Sequence, residues 1–133
     1  MESNRIKVLG VNRLFYKAFE GYDIKMMGEV WSKSENARCV RPGWKTPFGW
    51  DNVRQGWEAI FANRTIVKFE LRDIQVGIAK VVTFVLLIEE ITVNADGYNI
   101  VATNIFENIG AGWQMILHHG SVHSYPDRTS QYN

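Results

Sequence analysis

The chain has 133 residues and one cysteine, Cys39. No intrachain disulfide is possible, which excludes a disulfide scaffold and points to a reducing compartment, the cytoplasm. Between Arg38 and Val40, Cys39 reads as a small buried hydrophobe rather than a reactive thiol. Neither sign of charge dominates: 15 Lys and Arg face 14 Asp and Glu, for a formal net charge of +1. That balance argues against a nucleic-acid partner bound by phosphate neutralisation. The longest apolar run, Val81 to Ile88, is broken by Thr83 and is too short to cross a bilayer as a helix. The segment from Met1 to Val8 carries Glu2, Arg5 and Lys7 and has no apolar signal core. No membrane role is expected. Histidine is scarce, and His118, His119 and His123 have no Cys, Asp or Glu at ligand spacing in the same stretch. Neither a metal nor another cofactor is expected.

What the chain has in surplus is aromatic surface. Aromatic residues make up 13%, with five Trp. So many large rings must fill a core or line a pocket.

Val8, Val11, Phe15, Ala18, Phe19 and Tyr22 step at helical intervals. Gly21 offers a stop and Asp23 a fresh N-cap for a second helix carrying Ile24, Met27, Val30 and Trp31. A short strand is expected over 37–41, closed by Pro42-Gly43. The following loop to Gly49 holds Trp44 and Phe48. Asp51 reads as the N-cap of a third helix with Val53, Trp57, Ile60 and Phe61 on its buried side and Asn63 at its end.

The rest alternates as strands. Val67, Phe69 and Leu71 share a face, and the parity change to Ile74 and Val76 predicts a bulge near Asp73. A long central strand over 80–93, a turn at 94–97, and strands over 98–107 and 113–123 follow, with a frayed tail over 124–133. Helices placed before an antiparallel meander give an α+β fold. We expect one domain over 1–133, its core about 9–123: a cone-shaped, curved antiparallel sheet wrapped over three helices, with a pocket between them.

Several motifs carry a resemblance. They include Phe15-Tyr16-Lys17-Ala18-Phe19, Val40-Arg41-Pro42-Gly43-Trp44, the run from Gly49 to Trp57, and Trp113-Gln114-Met115-Ile116-Leu117-His118-His119-Gly120-Ser121. In this order and spacing the chain resembles the SnoaL-like branch of the nuclear transport factor 2-like, or cystatin-like, superfamily, from about Leu9 to His123. The resemblance implies a cone with a deep pocket and a homodimer formed through the sheets. It does not imply one activity, since the superfamily holds isomerases, dehydratases, cyclases and non-catalytic modules.

Strict alternation puts Trp113, Met115, Leu117, His119, Ser121 and His123 on one face of the last strand. In the resembled family that face looks into the cone, which makes His119 the candidate general acid or base, or else a structural hydrogen-bonding group. The family's ketosteroid isomerases carry an Asp base just before a Pro-x-Gly; here Arg41 precedes Pro42-Gly43. Arg41 cannot abstract a proton, which counts against that chemistry. Facing inward it would bind an anionic group; facing outward it would be a solvated loop residue. Tyr16, Trp31, Arg41, Trp44, Trp57, Asn104 and Ser121 are the candidate ligand-binding residues, with Trp44 at the mouth. Trp31 and Trp57 also fit the core. Glu89 and Glu90 point to opposite faces, so at most one enters the pocket. The leading expectation is a small-molecule binding domain, with lyase, isomerase or cyclase chemistry open. The alternative is a non-catalytic homo-oligomeric module resembling the calcium/calmodulin-dependent kinase association domain.

Overall fold

A computed structural model describes residues 2–124. The expected frayed tail therefore lies outside the described residues beyond Ser124, which closes the last strand. In chain order the elements are α1 (Glu2–Glu20), α2 (Ile24–Val30), β1 (Arg38–Val40), α3 (Trp50–Ala62), β2 (Val67–Ile78), β3 (Val82–Val93), β4 (Asp96–Asn108) and β5 (Trp113–Ser124).

The first helix starts a turn and a half before Val8, its first buried residue, because its opening turns are largely exposed and their one large apolar residue, Ile6, faces solvent. Val8, Asn12, Phe15, Tyr16 and Phe19 form its buried stripe. It ends in a Schellman cap. Asp23 N–H donates to Ala18 O at 2.9 Å and Tyr22 N–H to Phe19 O at 3.4 Å. Tyr22, not Gly21, takes the left-handed conformation, with φ +54. The Tyr22 hydroxyl donates to Thr65 O, which ties the cap to the entry of β2. Asp23 then caps α2, its carboxylate accepting from Met26 N–H at 2.9 Å. At α3 the expectation shifts by two residues. The N-cap is Gly49 at φ +78, with no side-chain cap, and Asp51 sits exposed in the first turn.

The sheet is ordered β1-β5-β4-β3-β2, curved and unclosed. It is antiparallel except at one edge, where β1 runs parallel to β5 with Cys39 opposite His118. The β3–β4 turn is a two-residue one: Asn94 and Ala95 both have positive φ, +49 and +86. Gly97 already belongs to β4.

Three bulges shape the sheet, one of them at the end of β5, where Ile100 pairs with Val122 and Asn99 with Ser124. In β2 the register shifts between Arg72 and Gln75, where Asp73 has φ +55, as the parity change predicts. In β5, Phe106 of β4 faces Met115 while its neighbour Ile105 faces Leu117, so Ile116 is an extra residue. A one-residue insertion turns every later side chain to the other face. Trp113 and Met115 point inward before the bulge; His118 and Gly120 are the buried positions after it.

The cone's interior is aromatic. Phe15 lies at its centre, with ring centroids 4.8 Å from Tyr16, 5.5 Å from Trp57 and 4.6 Å from His118, mostly edge-on. Trp31 and Trp57 are both 0% exposed. Both belong to the core cluster.

Candidate ligand cleft

Besides Ser32 and Thr83, six polar side chains are buried among the described residues: Asn12 and Tyr16 on α1, Arg41 after β1, Glu89 on β3, Asn104 on β4 and His118 on β5. They form one circuit. Arg41 Nη1 donates to Glu89 Oε1 at 2.9 Å. The same nitrogen lies 2.9 Å from His118 Nε2. A guanidinium only donates, so His118 Nε2 is the acceptor and the ring proton sits on Nδ1. Nδ1–H donates to Asn104 Oδ1 at 2.5 Å. The Asn104 amide then donates to Asn12 Oδ1 at 2.8 Å and to the Tyr16 hydroxyl oxygen at 3.2 Å. The Tyr16 hydroxyl closes the loop by donating to Glu89 Oε2 at 2.6 Å.

Every link in this ring joins a donor to an acceptor, which is what makes a buried polar cluster tolerable. Its charge state follows. Burial, with Arg41 and His119 adding to it, holds the His118 pKa well below its ordinary 6.5, so the imidazole is neutral. The 3.9 Å approach of His118 Nε2 to Glu89 Oε2 is therefore no ion pair. Burial, and next the Glu89 charge, hold the Tyr16 phenol well above 10. Arg41 and Glu89 compensate one another. Cys39 next to them is 0% exposed, and burial pushes its thiol up, leaving it inert.

Arg41 alone of the six reaches open space. It lines a cleft of about 390 Å³ at the cone's mouth together with Phe19, Trp44, Val67, Ile91 and Ile100. Only Nη1 is used by the circuit; Nε and Nη2 make no hydrogen bond among the described residues. The guanidinium lies 5.3 Å from the centroid of Phe19. It also lies against Gly120, where an added Cβ would come within 3.0 Å of Nη1. A glycine at this inward position of β5 leaves the slot that the guanidinium fills.

The loop after β1 places two cleft residues at once. Trp44 N–H donates to Arg41 O at 2.9 Å, with Pro42 second and Gly43, at φ +82, third in the turn. That is the signature of a type II turn. It brings the charge of Arg41 and the ring of Trp44 to the same opening.

The expected site residues divide accordingly. Tyr16 and Asn104 are in the buried circuit, and Arg41 and Trp44 are at the cleft. Trp31 and Trp57 are core residues outside the cleft lining; Trp31 stacks on Trp50 at 6.4 Å. The inward orientation expected for His119 and Ser121 is corrected: both are exposed on the outer face. The Ile116 bulge is the reason, and it puts His118 inside instead. Of the glutamates, Glu89 enters and Glu90 stays outside beside Arg72. Asn12 and His118 are not among the expected residues, and Glu89 is expected only as an alternative to Glu90. Asn12 had a signal, a polar residue on the buried stripe of α1. Among the described residues no group of three or more His, Cys, Asp or Glu is placed to hold a metal.

Residues 8–125 match the family model described as the SnoaL-like domain. The chain belongs to that family. This SnoaL-like domain is 24% identical over 115 residues to the F-box protein SKIP8 of Arabidopsis thaliana, an alignment covering 86% of this chain. The chain spans about half, 49%, of that relative's length. Among solved structures it is similar to a candidate dehydratase of the nuclear transport factor 2-like family from Streptomyces avermitilis. The identity is 26% and the TM-score 0.84, covering 92% of this chain and 97% of that one. It is also similar to a candidate calcium/calmodulin-dependent protein kinase type II association domain from Thiobacillus denitrificans. There the identity is 25% and the TM-score 0.74, covering 86% of this chain and 93% of that one. A Salmonella enterica protein of the superfamily, 9% identical with TM-score 0.83 over 96% of both chains, shares the fold alone. No helix of the described residues is long and apolar enough to cross a membrane.

Proposed function

We propose that this SnoaL-like domain binds a compact apolar molecule carrying an oxygen acceptor. Its apolar body fills the mouth cleft, and its oxygen takes the two-pronged edge of Arg41 Nε and Nη2. The observation that carries this reading is the division of labour on one guanidinium. One nitrogen is committed to Glu89 and His118, Nε and Nη2 make no hydrogen bond among the described residues, and the residue lines a cleft walled by Phe19, Trp44, Ile91 and Ile100. Glu89 already offsets the charge, so a carbonyl suits the site as well as a carboxylate does.

Binding is favoured over catalysis by what lines the cleft. The lining among the described residues contains no carboxylate and no histidine. Glu89 and His118, the groups with acid or base chemistry, are 0% exposed behind Arg41. The dehydratase description of the Streptomyces protein is not carried over to this chain for that reason. The lone buried thiol of Cys39 fits a reducing, cytoplasmic setting.

The test is calorimetric titration with 1-acetonaphthone and 1-naphthoate. Arg41→Lys keeps a charge beside Glu89 and removes the planar fork. We expect saturable binding to the native domain and a loss of about tenfold or more in Arg41→Lys. Absence of binding by both probes, or unchanged affinity in the variant, refutes the reading.

A second observation supports a homodimer through the sheet. The strands that bury Val85, Leu87 and Glu89 turn Phe84, Leu86 and Ile88 outward, with Val101 and Ile105 opposite on β4 and Leu117 on β5. Charge on that face lies around this apolar centre, on Lys68, Glu70 and Arg72 of β2, Glu90 of β3 and Glu107 near the end of β4. An apolar centre with a charged margin is the composition of a self-associating surface.

A further inference from the structure

We propose that Trp44 is the wall that sets the largest ligand the cleft admits. This rests on the reading of the mouth cleft as the ligand site. A second concavity of about 630 Å³ lies on the other side of the same ring, between the loop after β1 and α3, with Pro47, Phe48, Gln55 and Ala59 along it. Trp44 and Ile60 line both spaces. The indole therefore stands as a partition between the cone's mouth and an outer groove.

The partition is held by packing alone. Its ring sits edge-on to Trp57, with centroids 5.2 Å apart at 63°. The indole N–H has no hydrogen-bond partner among the described residues. The ring rests on the bare backbone of Gly56, where a Cβ would come within 2.9 Å of it. Any side chain at position 56 lifts the ring. Gly43 and Gly49, both at positive φ, bracket the loop that carries it. With the ring in place, a ligand held at Arg41 is limited to the 390 Å³ of the mouth. With the ring displaced, the apolar part of a longer ligand extends into the outer groove against Phe48 and Ala59.

The test is a selectivity ratio, measured by calorimetry with two carboxylates that share the Arg41 contact and differ in size: 1-naphthoate and 1-pyrenebutyrate. We expect the native domain to prefer 1-naphthoate. In Trp44→Ala the ratio of the two affinities shifts by about tenfold or more toward 1-pyrenebutyrate, the scale set by a hydrophobic pocket that discriminates by size. Gly56→Ala, which adds a favourable residue to the helix and touches no residue of the circuit, shifts the ratio in the same direction by less. A purely structural role for Trp44 weakens both probes together and leaves the ratio unmoved, and that result overturns the proposal. An unmoved ratio in Gly56→Ala overturns it even if Trp44→Ala does not fold. If the native domain binds neither carboxylate, the role of Trp44 fails, and if it does not bind 1-acetonaphthone either, the cleft reading fails with it. If the native domain binds 1-naphthoate through Arg41 and only the ratio stays fixed, the cleft reading stands without this wall.

Discussion

Arg41 Nη1 and Glu89 Oε1 lie 2.9 Å apart, joining side chains that are 9% and 0% exposed. The pair links the loop after β1 to the middle of the sheet and gives the cone a polar floor. Its other contacts decide its character. Tyr16 satisfies the second carboxylate oxygen and neutral His118 accepts from the same guanidinium nitrogen, so both oxygens of Glu89 are met inside. Of the circuit, only Arg41 lines the cleft.

Removing one member of this pair is expected to cost far more than removing both. Arg41→Met leaves Glu89 buried without its counter-charge, and about 3–5 kcal/mol of stability should be lost. The double variant Arg41→Met/Glu89→Gln, which removes both charges and keeps an acceptor for the Tyr16 hydroxyl, should recover most of that loss. Urea denaturation of the two variants and the native domain measures the difference. A double variant no more stable than the single one contradicts the compensation described.

Neutral His118 makes stability fall in acid. Its folded pKa lies below the ordinary 6.5, so the unfolded chain binds the proton more readily. The contribution is whole above about pH 6.5 and is lost progressively as pH falls from there toward the folded value. Denaturation midpoints between pH 7.5 and 5 should therefore drop, and His118→Gln should flatten that part of the profile. An equal slope in the variant assigns the acid sensitivity to other groups.

Gly120→Ala tests the slot that holds the guanidinium. The new Cβ would meet Nη1 at 3.0 Å and Ile100 Cγ2 at 3.1 Å. Arg41 must shift, and binding of 1-naphthoate should weaken by about tenfold, the worth of a charge-assisted hydrogen bond or more. In an Arg41→Lys background the same substitution should cost little further, because the fork is already gone. Additive losses in the two backgrounds would point to a general loosening of β5.

The outward face of β3, β4 and β5 predicts self-association. Leu86→Arg places a charge among Phe84, Ile88 and Ile105 and should convert a dimer to a monomer in sedimentation velocity. A native domain that sediments as a monomer at every concentration removes the dimer.

The helices were legible because each buries one stripe and exposes the rest, as Phe15 and Phe19 or Val53 and Trp57 show. The bulge near Asp73 was legible for the same reason: apolar parity changes across it. The bulge at Ile116 left no such trace. Trp113, Met115 and Leu117 keep the alternation through it, since Leu117 faces the half-buried outer side of the sheet. Strict alternation then carried His119 inward and hid His118. Glu89 was half-legible. Parity placed it with Val85, Leu87 and Ile91, but β3 is apolar on both faces, so nothing local said which face was inside. The circuit itself joins positions as far apart as 92 residues, Asn12 and Asn104. Only the folded register brings them together.

The claim at the centre is that the free edge of Arg41 receives the ligand's oxygen. Nuclear magnetic resonance of the arginine Nε–H signals, followed during titration with 1-naphthoate, addresses it directly. The Arg41 signal, assigned by its absence in Arg41→Lys, should move and saturate with the affinity seen by calorimetry. A ligand that saturates the domain while the Arg41 signal stays in place would show that the cleft binds without it, and the account would be wrong.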